Sequence, residues 1–93
     1  MFLFYAVHYP QPEKEELLIQ GMQQFGELIK KQPGIIFVNP SPFRDTEKGA
    51  LIGLAIWESQ EAFEASWPVL VKDVPSDEWE VKPREVHMLN TVV

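Results

Sequence analysis

The 93 residues contain no cysteine. That excludes a disulfide framework, a thiolate nucleophile and every cysteine-ligated zinc or iron–sulfur site, and it is compatible with a reducing compartment. Basic residues are few, 8 Lys and Arg against 14 Asp and Glu, which leaves a net charge of −6. A surface of that sign repels phosphate, so neither nucleic acid nor anionic membrane is an expected partner. No apolar run approaches the ~20 residues that cross a bilayer. The opening stretch MFLFYAVHYP lacks the basic region and small-residue cleavage site of a signal peptide, so the expected location is cytoplasmic. There is also no Gly-rich phosphate loop, no nucleophile elbow and no regular calcium-loop spacing.

What remains is a globular composition, 45% hydrophobic and 12% aromatic, in a chain the size of one small domain spanning 1–93. A domain this size buries roughly 60–70% of its unfolded surface, so its core is thin and readily completed by a partner subunit.

Phe2 to Tyr9 is an almost continuous apolar and aromatic run stopped by Pro10 and Pro12, the pattern of a strand buried on both faces. Phe2, Phe4, Ala6 and His8 fall on one side, with Leu3, Tyr5, Val7 and Tyr9 on the other. Pro12, Glu13, Glu15 and Glu16 carry helix-start chemistry. The spacing of Leu17, Leu18, Gly21, Phe25, Leu28 and Ile29 predicts an amphipathic helix to about Gln32, ended by Pro33-Gly34. Ile35 to Asn39 is a second strand. Arg44 to Gly49 is the polar connection of a hairpin, with Arg44 and Asp45 as a solvated pair.

Ala50 to Trp57 is a third strand. Ser59 is the N-cap of a second helix that turns Ala62, Phe63, Ser66, Trp67 and Leu70 inward, with a kink or break expected at Pro68. Asp73 to Pro83 reads as an acidic loop in which Asp73, Asp77, Glu78 and Glu80 are solvated. Glu85 to Val92 is the last strand.

The resulting order, β-α-β-β-α-β, predicts an α+β fold, the ferredoxin-like arrangement with an antiparallel sheet. Its second and third strands are apolar on both faces, yet helices cover only one. A second copy of the sheet is the simplest cover, so a homodimer is expected.

Pro33-Gly34 before the second strand, and Trp57-Glu58-Ser59 with Glu61-Ala62-Phe63 after the third, resemble the antibiotic biosynthesis monooxygenase-like domain. The likeness extends over essentially the whole chain. The resemblance implies a dimeric α+β barrel and, among several activities, cofactor-independent oxygenation of phenols to quinones. Quinone-forming members tend to use an Asn four residues before the third-strand Trp, where this chain has Gly53. Haem-degrading members use a first-strand Asn, a Trp on the second helix and a His beyond it. Here His8 stands near the Asn position and Trp67 near the Trp, but residues 68 to 79 hold no His. Haem is therefore not expected, and the resemblance to cofactor-independent oxygenases implies that no other cofactor is needed.

His8 and His87 are the two side chains whose ordinary pKa suits proton transfer at neutral pH, and they are the candidate catalytic pair, with His8 as the base. They share a face only if the last strand sets residue 85, 87 or 89 opposite position 8. Two histidines without a third ligand make no metal site. Trp67, Tyr5 and Asn39 are candidate contacts for a small apolar or aromatic ligand, with core packing, a dimer seam and strand-end hydrogen bonding as their alternative uses. Tyr9 has the same choice of uses as Tyr5, and Asn90 the same as Asn39. The expected function is a cofactor-independent monooxygenase acting on such a molecule. The alternative is a non-catalytic binding or stress-related domain using the same pocket.

Overall fold

A computed structural model describes residues 1–92. Five strands, β1 (Phe2–His8), β2 (Ile35–Val38), β3 (Phe43–Arg44), β4 (Leu51–Trp57) and β5 (Glu85–Asn90), form one antiparallel sheet. Its main order is β2-β4-β1-β5, with β3 paired to β4. Two helices, α1 (Glu15–Lys30) and α2 (Gln60–Leu70), complete the ferredoxin-like α+β fold. No described helix is long and apolar enough to cross a membrane.

Strand alternation divides the sheet into two chemically distinct faces. Phe2, Ala6, His8, Leu51, Ala55 and Trp57 are buried on the helix side. There Phe63 of α2 is the hub of an aromatic cluster, its ring centroid 5.1 Å from Phe2, 5.2 Å from Phe4, 5.7 Å from Trp57 and 5.6 Å from Trp67. Edge-to-face and offset contacts of this kind add to the burial of the rings themselves.

The stretch AIWESQEAF is the joint of this core. Trp57 ends β4 fully buried, and Ser59 Oγ accepts a hydrogen bond from the Ala62 N–H at 3.1 Å, capping α2. Gly34 completes the joint. Its carbonyl accepts from the Glu58 N–H at 2.7 Å, its φ is +84°, and an added Cβ would lie 2.7 Å from Ala62 Cβ. Both the backbone angle and the close approach require glycine.

Four local expectations change. The polar connection contains β3, because Phe43 and Arg44 pair with Ile52 and Leu51 before the turn. Arg44 forms its ion pair with Glu15 of α1 rather than with Asp45. Leu17 is exposed, the apolar stripe of α1 being carried by Leu18, Phe25 and Ile29. The helix does not break at Pro68. It continues to Leu70 and gives way to a 3-10 turn at Val71–Asp73, since proline in the last turn forfeits only one intrahelical bond.

Candidate functional site

Between the helix face of the sheet and the two helices lies a cavity of about 190 Å³. Its walls are mostly apolar, including Phe4, Met22, Phe25 and Trp67, and its polar corner is formed by His8 and Arg84. The aromatic walls follow from the patterns that build the core: even-numbered β1 residues face inward, and Trp67 stands one helical turn beyond Phe63.

The polar corner depends on a residue that composition and spacing did not single out. Glu80 was expected in solvent with Asp73, Asp77 and Glu78. Those three are exposed, but Glu80 is only 7% exposed. The chain after β1 fixes it: Pro10 and Glu80 form an isolated β-bridge, Gln11 N–H donates to the Trp79 carbonyl at 2.9 Å, and Val81 N–H donates to the Tyr9 carbonyl at 2.8 Å. Pinned backbone on both sides turns the carboxylate inward. A loop residue has no hydrophobic period to reveal such a turn.

Three groups converge on this carboxylate. Tyr9 N–H donates to Oε1 at 3.0 Å, His8 Nδ1 lies 3.2 Å from Oε2, and Arg84 Nη2 lies 2.5 Å from the same Oε2. The Arg84 contact is a buried ion pair, Nη2 being shielded from solvent. A carboxylate only accepts, so His8 Nδ1 must carry the proton. The neutral imidazole then presents Nε2 as its basic nitrogen, and Nε2 has no hydrogen bond to any described residue.

Burial pushes the His8 imidazole below the usual histidine range. The hydrogen bond and charge of Glu80 pull in the opposite direction, and Arg84 adds to the lowering, so the net direction is down. The site holds a neutral imidazole beside a compensated ion pair.

His87 does not join His8. The register of β1 and β5 sets Tyr5 opposite His87 and Val7 opposite Glu85, so position 8 has no partner among 85, 87 and 89. His87 lies on the open face of the sheet, stacked on Tyr5 with centroids 4.6 Å apart and planes at 16°. The expected pairing of the two histidines, and the placement of Tyr5 at the ligand, are corrected by the same alternation: odd positions of β1 point away from the helices.

Trp67 and Asn39 do adjoin the cavity. The Asn39 amide is already engaged, donating to the Ser41 carbonyl at 2.8 Å and the Ile52 carbonyl at 3.2 Å and accepting from Leu54 N–H at 2.8 Å. It fastens the end of β2 to β4.

The fold is that of antibiotic biosynthesis monooxygenase-like proteins. The chain is similar to Rv0793 from Mycobacterium tuberculosis, with a TM-score of 0.83 at 15% identity over 99% of this chain and 95% of that one. An antibiotic biosynthesis monooxygenase gives 0.77 at 15% identity over 100% of both chains. A variant of SnoaB from Streptomyces nogalater, a cofactor-independent oxygenase, gives 0.77 at 13% over 99% and 93%. No protein-family model matches the chain, and no curated protein is significantly similar to it in sequence.

Proposed function

We propose that the cavity binds a small apolar or aromatic molecule and that the chain is a cofactor-independent monooxygenase with His8 as its general base. The observation that carries this reading is an imidazole held through Nδ1 by a buried carboxylate at the wall of an aromatic cavity. An engineered apolar cavity of about 150 Å³ takes up benzene, so about 190 Å³ suits a molecule of one or two rings. The presence of a cofactor-independent oxygenase among proteins of this fold supports the reading.

The reaction balances without an external reductant. His8 Nε2 removes a proton from an acidic O–H or C–H of the substrate, and the resulting anion supplies electrons to dioxygen. One oxygen atom enters the product and the other leaves as water, so that a phenol plus O2 gives a quinone plus H2O. The proton held on His8 returns to the departing oxygen. Incubation with a panel of hydroxylated one- and two-ring aromatics under labelled dioxygen is expected to give a product carrying one labelled oxygen. No oxygen uptake with any hydroxyaromatic that binds would overturn the reading.

One observation favours a non-catalytic binding domain. The position where the resemblance places an Asn is Gly53, which supplies no polar side chain, and an added Cβ there would lie 3.2 Å from Met22 Cε, so the Met22 methyl group would have to shift to admit one. Binding without oxygen uptake is the outcome that selects this alternative.

The reading includes a homodimer. Leu3, Tyr5, Val7, Ile52, Leu54 and Ile56 form an apolar face that neither helix covers, and exposed Leu89 of the edge strand β5, opposite Leu3, extends it. A contiguous apolar surface of this kind exceeds what a soluble monomer ordinarily shows. Light scattering at micromolar concentration should give twice the 10.7 kDa chain mass. A soluble monomer under those conditions removes the dimer from the proposal.

A further inference from the structure

Gly53 interrupts β4 on the helix side of the sheet, yet its backbone does not require glycine: among the glycines a positive φ belongs to Gly34 and Gly49. A glycine inside a strand weakens it and commonly marks a close approach. Here the approach is that of Met22, which stands on the inward stripe of α1, four residues after Leu18 and three before Phe25. A β-carbon at position 53 would press on the methyl carbon of Met22. Glycine is there to make room.

The floor around this contact is built of small residues. Gly53 is paired with Ala6, and Ala55 follows on β4, whereas the flanking Phe2, Leu51 and Trp57 are large and fully buried. Small side chains in these neighbouring places leave the space that the cavity occupies, and the end of Met22 reaches its floor. The inward-facing pair next to Gly53–Ala6 is Leu51–His8, so the thioether arm takes up volume beside the proposed base. Methionine has three rotatable side-chain bonds and a sulfur that packs favourably against aromatic rings, and Met22 is only half-buried.

We propose that Met22 is the specificity-determining residue of this cavity: its methyl end, seated over Gly53, limits the ligand beside His8 to a single ring. This rests on the cavity being the ligand site proposed above, and it adds a residue and a size limit to that reading. With Met22 in place the cavity of about 190 Å³ is close to the about 150 Å³ that takes up benzene. Truncating Met22 joins its volume to the cavity, whereas a β-carbon at position 53 pushes the methyl group into it. The two changes therefore act on ligand size with opposite signs, which a methionine that only fills the core does not require.

The experiment measures the affinities of the whole protein for benzene and for naphthalene, one ring against two fused rings of the same chemistry. The ratio of the two cancels any general loosening of the fold. The native protein should favour benzene. Met22→Ala should raise the naphthalene-to-benzene ratio by about 10–200-fold and reverse the preference, the range that fit in an apolar pocket supplies. Met22→Leu keeps an apolar side chain of similar volume that stops short of Gly53, so its ratio should lie between the two. That variant decides the matter if Met22→Ala does not fold. Gly53→Ala should lower the ratio by about tenfold.

A native protein that favours naphthalene overturns the inference, as does a ratio that both Met22 variants leave unchanged. Movement of the ratio in the same direction in Met22→Ala and Gly53→Ala overturns it as well. Failure of both probes to bind at their solubility limits overturns it together with the cavity reading. The measurement reads binding alone, so its result stands apart from whether the bound molecule is oxygenated.

Discussion

Glu80→Ala is expected to destabilise the protein by about 3–5 kcal/mol, the usual consequence of removing one partner from a buried ion pair. The substitution leaves the mostly buried Arg84 guanidinium without its counter-charge, removes the acceptor of the Tyr9 N–H, and takes from His8 the group that fixes its tautomer. Small domains are stable by only about 0.05–0.15 kcal/mol per residue, so a loss of this size is a large part of the whole. Urea unfolding should show a much lower midpoint with an unchanged slope. Glu78→Ala is the matched control, since Glu78 is exposed in the same segment and surface changes of this kind fall within about 0.5 kcal/mol. Glu80→Gln should lie between them, because an amide oxygen still accepts from Tyr9 but carries no charge for Arg84. If Glu80→Ala and Glu78→Ala prove equally mild, the buried carboxylate is not what holds this corner together.

The contrast between Glu78 and Glu80 also shows where sequence reading stops. Elements with a strong period were legible: β1, α1, β4 and α2 lie where the apolar spacing and the Ser59 cap place them, and β5 lies against β1 as the topology requires. Side-chain direction within β1 was legible too, since alternation alone puts His8 with Phe2, Phe4 and Ala6. The relation of His8 to His87 was not, because it depends on a register one residue either way, and a slip of one reverses every face. Glu80 and Arg84 lay further beyond reach. They sit on irregular backbone between α2 and β5, where direction is set by a single β-bridge to Pro10 and by hydrogen bonds from Gln11 and Val81. The composition of that segment, acidic and rich in proline, is the same for the solvated carboxylates as for the buried one. The Phe43–Arg44 strand was missed for a similar reason: two residues are too few to show alternation, and only pairing with Ile52 and Leu51 defines them.

The catalytic role proposed for His8 leads to a prediction in which signs matter as much as size. His8→Ala should reduce oxygen uptake by roughly a hundred- to ten-thousandfold with any hydroxyaromatic the native protein turns over, the range a positioned general base contributes. Burial holds the folded-state pKa of His8 below its ordinary value of 6.5, so the native base stays neutral as pH falls through 6.5 and the acid limb of kcat/KM lies below that value. Stability follows the same linkage. As pH falls below about 6.5 the unfolded chain takes up a proton that the folded chain resists, so His8 contributes a loss of stability that begins there and ends at the folded-state pKa. Above 6.5 it contributes no pH dependence. Two variants should move the acid limb in opposite directions. Glu80→Gln removes the group that favours the imidazolium and should shift the limb to lower pH, whereas Arg84→Gln removes an opposing positive charge and should shift it to higher pH. The imidazole C–H resonance of His8, assigned against a His87→Gln variant, reads the same two shifts without any substrate. Movement in the same direction, or none, would mean that Glu80 and Arg84 do not set the proton affinity of His8. A shared carboxylate between base and guanidinium requires the two shifts to be opposite.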